Sequence, residues 1–94
     1  LALNPRAPHI LDSLGVVYLK KGDLSKAREY LERAARFSVR DGEIYTNLGQ
    51  LYEKLGEREQ ARRMYDKALE FDPGSKAAKD GLDALADTPA SNAP

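Results

Sequence analysis

Ile10-Leu11-Asp12-Ser13-Leu14-Gly15-Val16-Val17-Tyr18-Leu19-Lys20-Lys21-Gly22 returns as Ile44-Tyr45-Thr46-Asn47-Leu48-Gly49-Gln50-Leu51-Tyr52-Glu53-Lys54-Leu55-Gly56, displaced by 34 positions. The isoleucine, the Leu-Gly pair, the tyrosine, one lysine and the final glycine stay in register. The same shift carries Ala27 onto Ala61, Arg28 onto Arg62, Ala34 onto Ala68 and Phe37 onto Phe71. Leu3 and Pro5 stand one period before Phe37 and Val39, and two before Phe71 and Pro73. A fixed period of this length marks stacked copies of one supersecondary unit, none of which can bury its apolar side alone. Residues 8–41 and 42–75 read as two full units, and residues 1–7 as the tail of a preceding one. The units are related without being copies, unlike an idealised consensus design.

Within each unit the apolar spacing is helical. Ile10, Leu11, Leu14, Val17 and Tyr18 share one face, and Leu24, Ala27, Leu31 and Ala34 share the next. Each unit is therefore a helical hairpin. Gly22 and Gly56 end the first helix of each pair, where a left-handed residue is needed, and Asp23 is placed to cap the helix that follows. Asp72-Pro73 closes the second unit, since proline and its predecessor both resist helix. Gly15, Ala27, Ala34, Gly49, Ala61 and Ala68 let helix axes approach, with Tyr18, Leu31, Tyr52 and Tyr65 filling the space beside them. Residues 76–87 put Ala78, Leu82, Leu85 and Ala86 on one side, and Lys76, Lys79, Asp80 and Asp83 largely on others. That is the pattern of a capping helix with a polar outer face. Residues 88–94 carry no core-forming side chain and read as a disordered tail, with the natural C-terminus expected there. The opening Leu1-Ala2-Leu3-Asn4-Pro5 starts as though in mid-helix, as an excised piece would.

Bulk properties fit this reading. Ninety-four residues make one domain at most, burying roughly 60 to 70 per cent of the surface of the unfolded chain. With 41% hydrophobic and 32% charged residues, the chain is too apolar for a disordered tract and suits amphipathic helices. Fifteen basic and fifteen acidic side chains cancel, which removes the positive field that non-specific nucleic-acid binding requires. The longest apolar run, Val16 to Leu19, is far short of the ~20 residues needed to cross a bilayer. The absence of cysteine removes disulfides and thiolate metal sites and leaves the compartment, cytoplasmic or oxidising, open. Any anchor of the parent would lie upstream.

These positions resemble the tetratricopeptide repeat family, whose pattern runs large apolar, Leu-Gly, Tyr, Ala, aromatic, Ala and Pro. Here it reads Leu11, Leu14-Gly15, Tyr18, Ala27, Leu31, Ala34, and then Tyr45, Leu48-Gly49, Tyr52, Ala61, Tyr65, Ala68, Pro73, covering about three-quarters of the chain. Leu11 replaces the usual Trp, and Val39 replaces the unit-ending Pro, which predicts a looser turn between the units. The resemblance implies an all-α fold: a right-handed superhelical solenoid of antiparallel helix pairs, completed by the capping helix.

Catalysis needs a nucleophile beside a base, a carboxylate pair in a pocket, a metal cage or a phosphate cradle. His9 is the sole histidine and has no thiolate or second imidazole to share a metal with. Ser13 and Asp12 are helix neighbours that do not face each other. The glycines are spread over structural positions and form no phosphate-binding loop. No catalytic residue, metal or cofactor is expected.

In arrays of the resembled family the first helix of each hairpin lines the concave surface, where partners bind. By position this implies His9, Asp12, Ser13, Val16, Leu19 and Lys20 in the first unit, and Glu43, Thr46, Asn47, Gln50, Glu53 and Lys54 in the second. The charges are mixed, so shape and hydrogen bonding should select the ligand. Some members clamp a terminal carboxylate with lysines, asparagines and arginine. Asn47 alone fits that clamp, while Asp12 and Val16 stand where Lys and Asn are wanted. Val16 and Leu19 suit an apolar peptide anchor, or else packing against a preceding repeat. The leading expectation is a protein–protein interaction scaffold holding a peptide or protein segment, with no nucleic-acid partner and no membrane insertion. The rival expectations are self-association through an exposed N-terminal edge of Leu1, Leu3, Leu11, Leu14 and Val17, and a regulatory arm of a larger enzyme.

Overall fold

The computed structural model describes residues 7–87. Five helices follow one another: α1 (Pro8–Lys21), α2 (Leu24–Phe37), α3 (Gly42–Lys54), α4 (Arg58–Phe71) and α5 (Lys76–Asp87). No strand occurs among the described residues. The expected leading tail and trailing disordered segment lie outside them, apart from Ala7.

Local chemistry sets the boundaries. Pro8 opens α1 at a position where its missing N–H is not needed. Gly22 (φ 85°) and Gly56 (φ 79°) turn the chain into the left-handed region after α1 and α3, where any side chain would be strained. Asp23 accepts a hydrogen bond from Lys26 N at 3.1 Å, and Asp41 accepts from Glu43 N at 2.9 Å and Ile44 N at 3.4 Å. Ser75 Oγ accepts from Ala78 N at 3.2 Å ahead of α5. The turn at Val39 is held by side-chain chemistry in place of proline: the Tyr45 hydroxyl donates to the Val39 carbonyl at 2.9 Å, and Tyr45 stacks on Phe71 with centroids 5.8 Å apart.

α1 packs on α2 and α3 on α4 as antiparallel pairs, and α2 packs on α3 to join them. α1 also touches α3, and α3 touches α5, whereas α2 and α4 make no mutual contact. The first helices therefore lie side by side on the inside of the curve and the second helices splay apart outside. One core runs through the stack, and Leu11, Ala27, Leu31, Ala34, Ile44, Leu51, Ala61, Tyr65, Ala68 and Ala78 are each 1% exposed or less. Close approach is required at two glycines. A Cβ on Gly49 or on Gly81 would enter the ring of Tyr65, so α3 and α5 both press on one buried tyrosine. In α5 Ala78 and Leu85 are buried and Leu82 half-buried, but Ala86 is exposed, so its apolar side is narrower than the sequence pattern implied.

Candidate functional site

The inner side of α1 and α3 carries the residues expected to meet a partner, with unequal freedom. His9, Ser13, Lys20, Glu43, Gln50 and Lys54 are exposed, and Val16, Asn47 and Glu53 are half-buried. Leu19, at 5% exposure, belongs to the core. Thr46 is 6% exposed, and its hydroxyl donates to the Gly42 carbonyl one turn back at 2.9 Å, which satisfies it within its own helix. Asp12, 8% exposed, accepts from Asn47 Nδ2 at 2.8 Å. That bond crosses from α1 to α3 and uses the one asparagine a carboxylate clamp would need.

Asp12 is electrostatically uncomfortable. Burial pushes its carboxyl above the ordinary value of 3.8, the Asn47 bond pulls it back, and the nearby charges of Glu43 and Asp41 push it up again. The residues α5 brings to the same side were not expected from the sequence. Ala77, Asp80 and Ala84 stand one period after Glu43, Thr46 and Gln50, all three are exposed, and α5 lies against α3. Asp12 and Glu43 thus lie toward the helix starts and Lys20 and Lys54 toward the helix ends, while Asp80 is paired with Lys76 at 3.0 Å. The strip has one acidic and one basic margin, an order that also suits the helix dipoles.

Two further connections rigidify the strip. Tyr65 donates to Glu53, tying α4 to the inner face of α3. One period earlier the same two places hold Leu31 and Leu19, both buried. The pair changes from apolar to hydrogen-bonded as a unit, and that paired change is visible in the sequence to anyone comparing the copies. Tyr52, on the other side of α3, donates to Glu32 at 2.7 Å, while Glu32 also takes Arg28 Nε at 3.1 Å and the Arg28 guanidinium lies 5.7 Å from the Tyr52 ring centroid. This three-residue network fastens the second hairpin to the first.

Residues 8–38 and 42–75 each match the tetratricopeptide repeat. The chain belongs to the tetratricopeptide repeat family. The matched segments coincide with the hairpins α1–α2 and α3–α4, and the interlocking helix pairs are the fold the family implies. Tetratricopeptide repeats are in general protein–protein interaction modules and typically not catalytic. A comparison with curated proteins gives no match. Among the described residues, no three His, Asp or Glu side chains come together as metal ligands, and no helix is long and apolar enough to cross a membrane.

Proposed function

We propose that the inner strip of α1, α3 and α5 holds a peptide or protein segment, and that the chain acts as a non-catalytic scaffold. The observation that carries this reading is a row of side chains left unused by packing, His9, Ser13, Val16 and Gln50, exposed or half-buried on helices whose opposite faces are locked into the core. A rigid support with an unused face lowers the ordering cost of binding. Val16 offers apolar contact along the middle, and Ser13 and Gln50 offer hydrogen bonds. The margins favour a segment with basic side chains toward Glu43 and acidic ones toward Lys20 and Lys54. The Asp12–Asn47 bond supports a positioning role for that pair, in place of a carboxylate clamp.

Selection of binders from a random peptide library by the whole chain, followed by calorimetry on the selected peptides, tests the reading. Val16→Glu and Gln50→Ala are each expected to weaken a selected peptide, Val16→Glu by about tenfold or more, with helix content unchanged by circular dichroism. Peptides that bind both variants as tightly as the parent would move the site off this strip.

A further inference from the structure

The two hairpins put different chemistry beneath the inner face. On α4 the Tyr65 ring is 1% exposed, and its hydroxyl donates to Oε1 of Glu53 on α3. One period earlier the same places hold Leu31 and Leu19, both buried. Packing alone does not call for a polar pair. A phenylalanine would fill the space of the Tyr65 ring without needing an acceptor, and Leu19 shows that an apolar side chain is accommodated at the Glu53 place. Holding a carboxylate half out of water costs solvation that one phenol bond returns only in part. That cost points to a use for the carboxylate on the strip.

Half of the carboxylate is free for such a use. Tyr65 occupies Oε1, and among the described residues no other hydrogen bond and no ion pair reaches Glu53. No buried side-chain oxygen is left without a partner, so Oε2 opens to solvent on the side of α3 that also carries Gln50, one turn back. Lys54, the next residue, does not face Glu53 around the helix, and Lys20 on α1 is exposed and makes no pair with it. The support is rigid. Gly49 and Gly81 bring α3 and α5 against the Tyr65 ring, which fixes the hydroxyl that aims Glu53. Burial first, then the Glu53 bond and charge, push the Tyr65 phenol above its ordinary 10.0, which keeps it a donor.

Given the inner strip as the binding face, on which this step rests, we propose that Glu53 determines specificity at the helix-end margin. Its free oxygen takes the ammonium or guanidinium of a lysine or arginine in the bound segment, and Tyr65 is the buried positioning residue behind it. In contact, a half-buried carboxylate outweighs exposed, water-screened lysines further off. The bound segment therefore carries a basic side chain at Glu53 with acidic neighbours toward Lys20 and Lys54.

Peptides selected from a random library by the whole chain serve as probes, with each lysine or arginine in them replaced in turn by methionine. For the parent protein, one such replacement is expected to weaken binding about tenfold at low salt and less at high salt. For Glu53→Gln, whose amide oxygen still accepts from Tyr65, the same replacement should cost almost nothing. For Tyr65→Phe, which keeps the ring, the cost should shrink to about threefold, while the methionine peptide binds parent and variant alike. That equality separates aiming from packing, because a loosened fold would weaken both peptides. A replacement that costs the parent and Glu53→Gln the same, a cost unmoved by Tyr65→Phe, or selected peptides without a basic residue would overturn the proposal. If those peptides were still weakened by Val16→Glu, the strip would stand without this contact. Peptides indifferent to Val16→Glu as well, or selection of none, would remove the strip and the contact together.

Discussion

Asp12 on α1 and Asn47 on α3 share a hydrogen bond of 2.8 Å across the inner face, and the bond offsets only part of what burial imposes on the carboxylate. Because the folded-state value of Asp12 lies above the ordinary 3.8, its contribution to stability is fully present below that value and is lost as pH rises through the folded value. Asp12→Asn should therefore raise the melting temperature at pH 7, since an amide oxygen can still accept from Asn47 without a buried charge. At about pH 3, with Asp12 itself neutral, the variant and parent should melt together. Asn47→Ala should do the opposite, destabilising more at pH 7 than at pH 3. Equal shifts at both pH values in thermal melts would mean that the charge on Asp12 is irrelevant to folding.

Tyr65 sets a steric limit on two helices at once. A Cβ on Gly49 would lie 2.5 Å from Tyr65 Cε1, far inside contact distance, and Tyr65 is 1% exposed with nowhere to go. Gly49→Ala should destabilise by about 1 to 3 kcal/mol, although alanine is the better helix former. Gly74→Ala is the control, because only Asp72 Oδ1 at 3.9 Å comes near its added Cβ. Chemical denaturation should separate the two clearly.

The Tyr52 phenol should report on the junction between the hairpins. Burial, then the Glu32 hydrogen bond and charge, push it from 10.0 up to about 12, so the stability it lends is present below pH 10 and disappears as pH rises through about 12. Phenolate absorbance of the parent minus that of Tyr52→Phe isolates this one titration. Glu32→Gln should bring the midpoint down while leaving it above 10, because burial, the largest cause, remains. Tyr52→Phe should also lower stability by about 1 kcal/mol. A midpoint at the ordinary value would show that the junction is open in solution.

Much of the architecture was legible because the signals were local and occurred twice. Gly22 and Gly56, Asp23, Asp72-Pro73 and the apolar spacing each act over one helical turn, and each fell where the chain turns or packs. The candidate site was less legible because its burial depends on neighbours in space. Leu19 and Thr46 sit at inner-face positions by register, yet one joined the core and the other spent its hydroxyl on its own helix. Leu11, assigned by spacing to an exposed edge, is 1% exposed, while Leu14 is half-buried and Val17 exposed; Leu1 and Leu3 lie outside the described residues. The α1 to α3 bond joins residues 35 apart, and no periodic pattern announces it. Val39 in place of proline suggested a loose turn, and the Tyr45 hydroxyl that closes it comes from six residues further on.

Comparing the two hairpins also exposes an unused stabilisation. Asp23 and Glu57 occupy the same place one period apart, with nearly the same backbone: φ −86°, ψ 83° for the first and φ −96°, ψ 80° for the second. Asp23 accepts from Lys26 N at 3.1 Å, whereas the Glu57 side chain makes no cap bond. The longer glutamate overshoots the amides of the first turn that a one-methylene arm reaches. Glu57→Asp should therefore stabilise the chain by about 0.5 to 1 kcal/mol, and the reverse swap, Asp23→Glu, should destabilise it by a similar amount. Roughly 4 to 8 °C per kcal/mol is expected for a domain of this size, so both changes are measurable in a thermal melt. If neither variant moves the midpoint, the ends of α2 and α4 are held by packing against their partner helices and not by their caps.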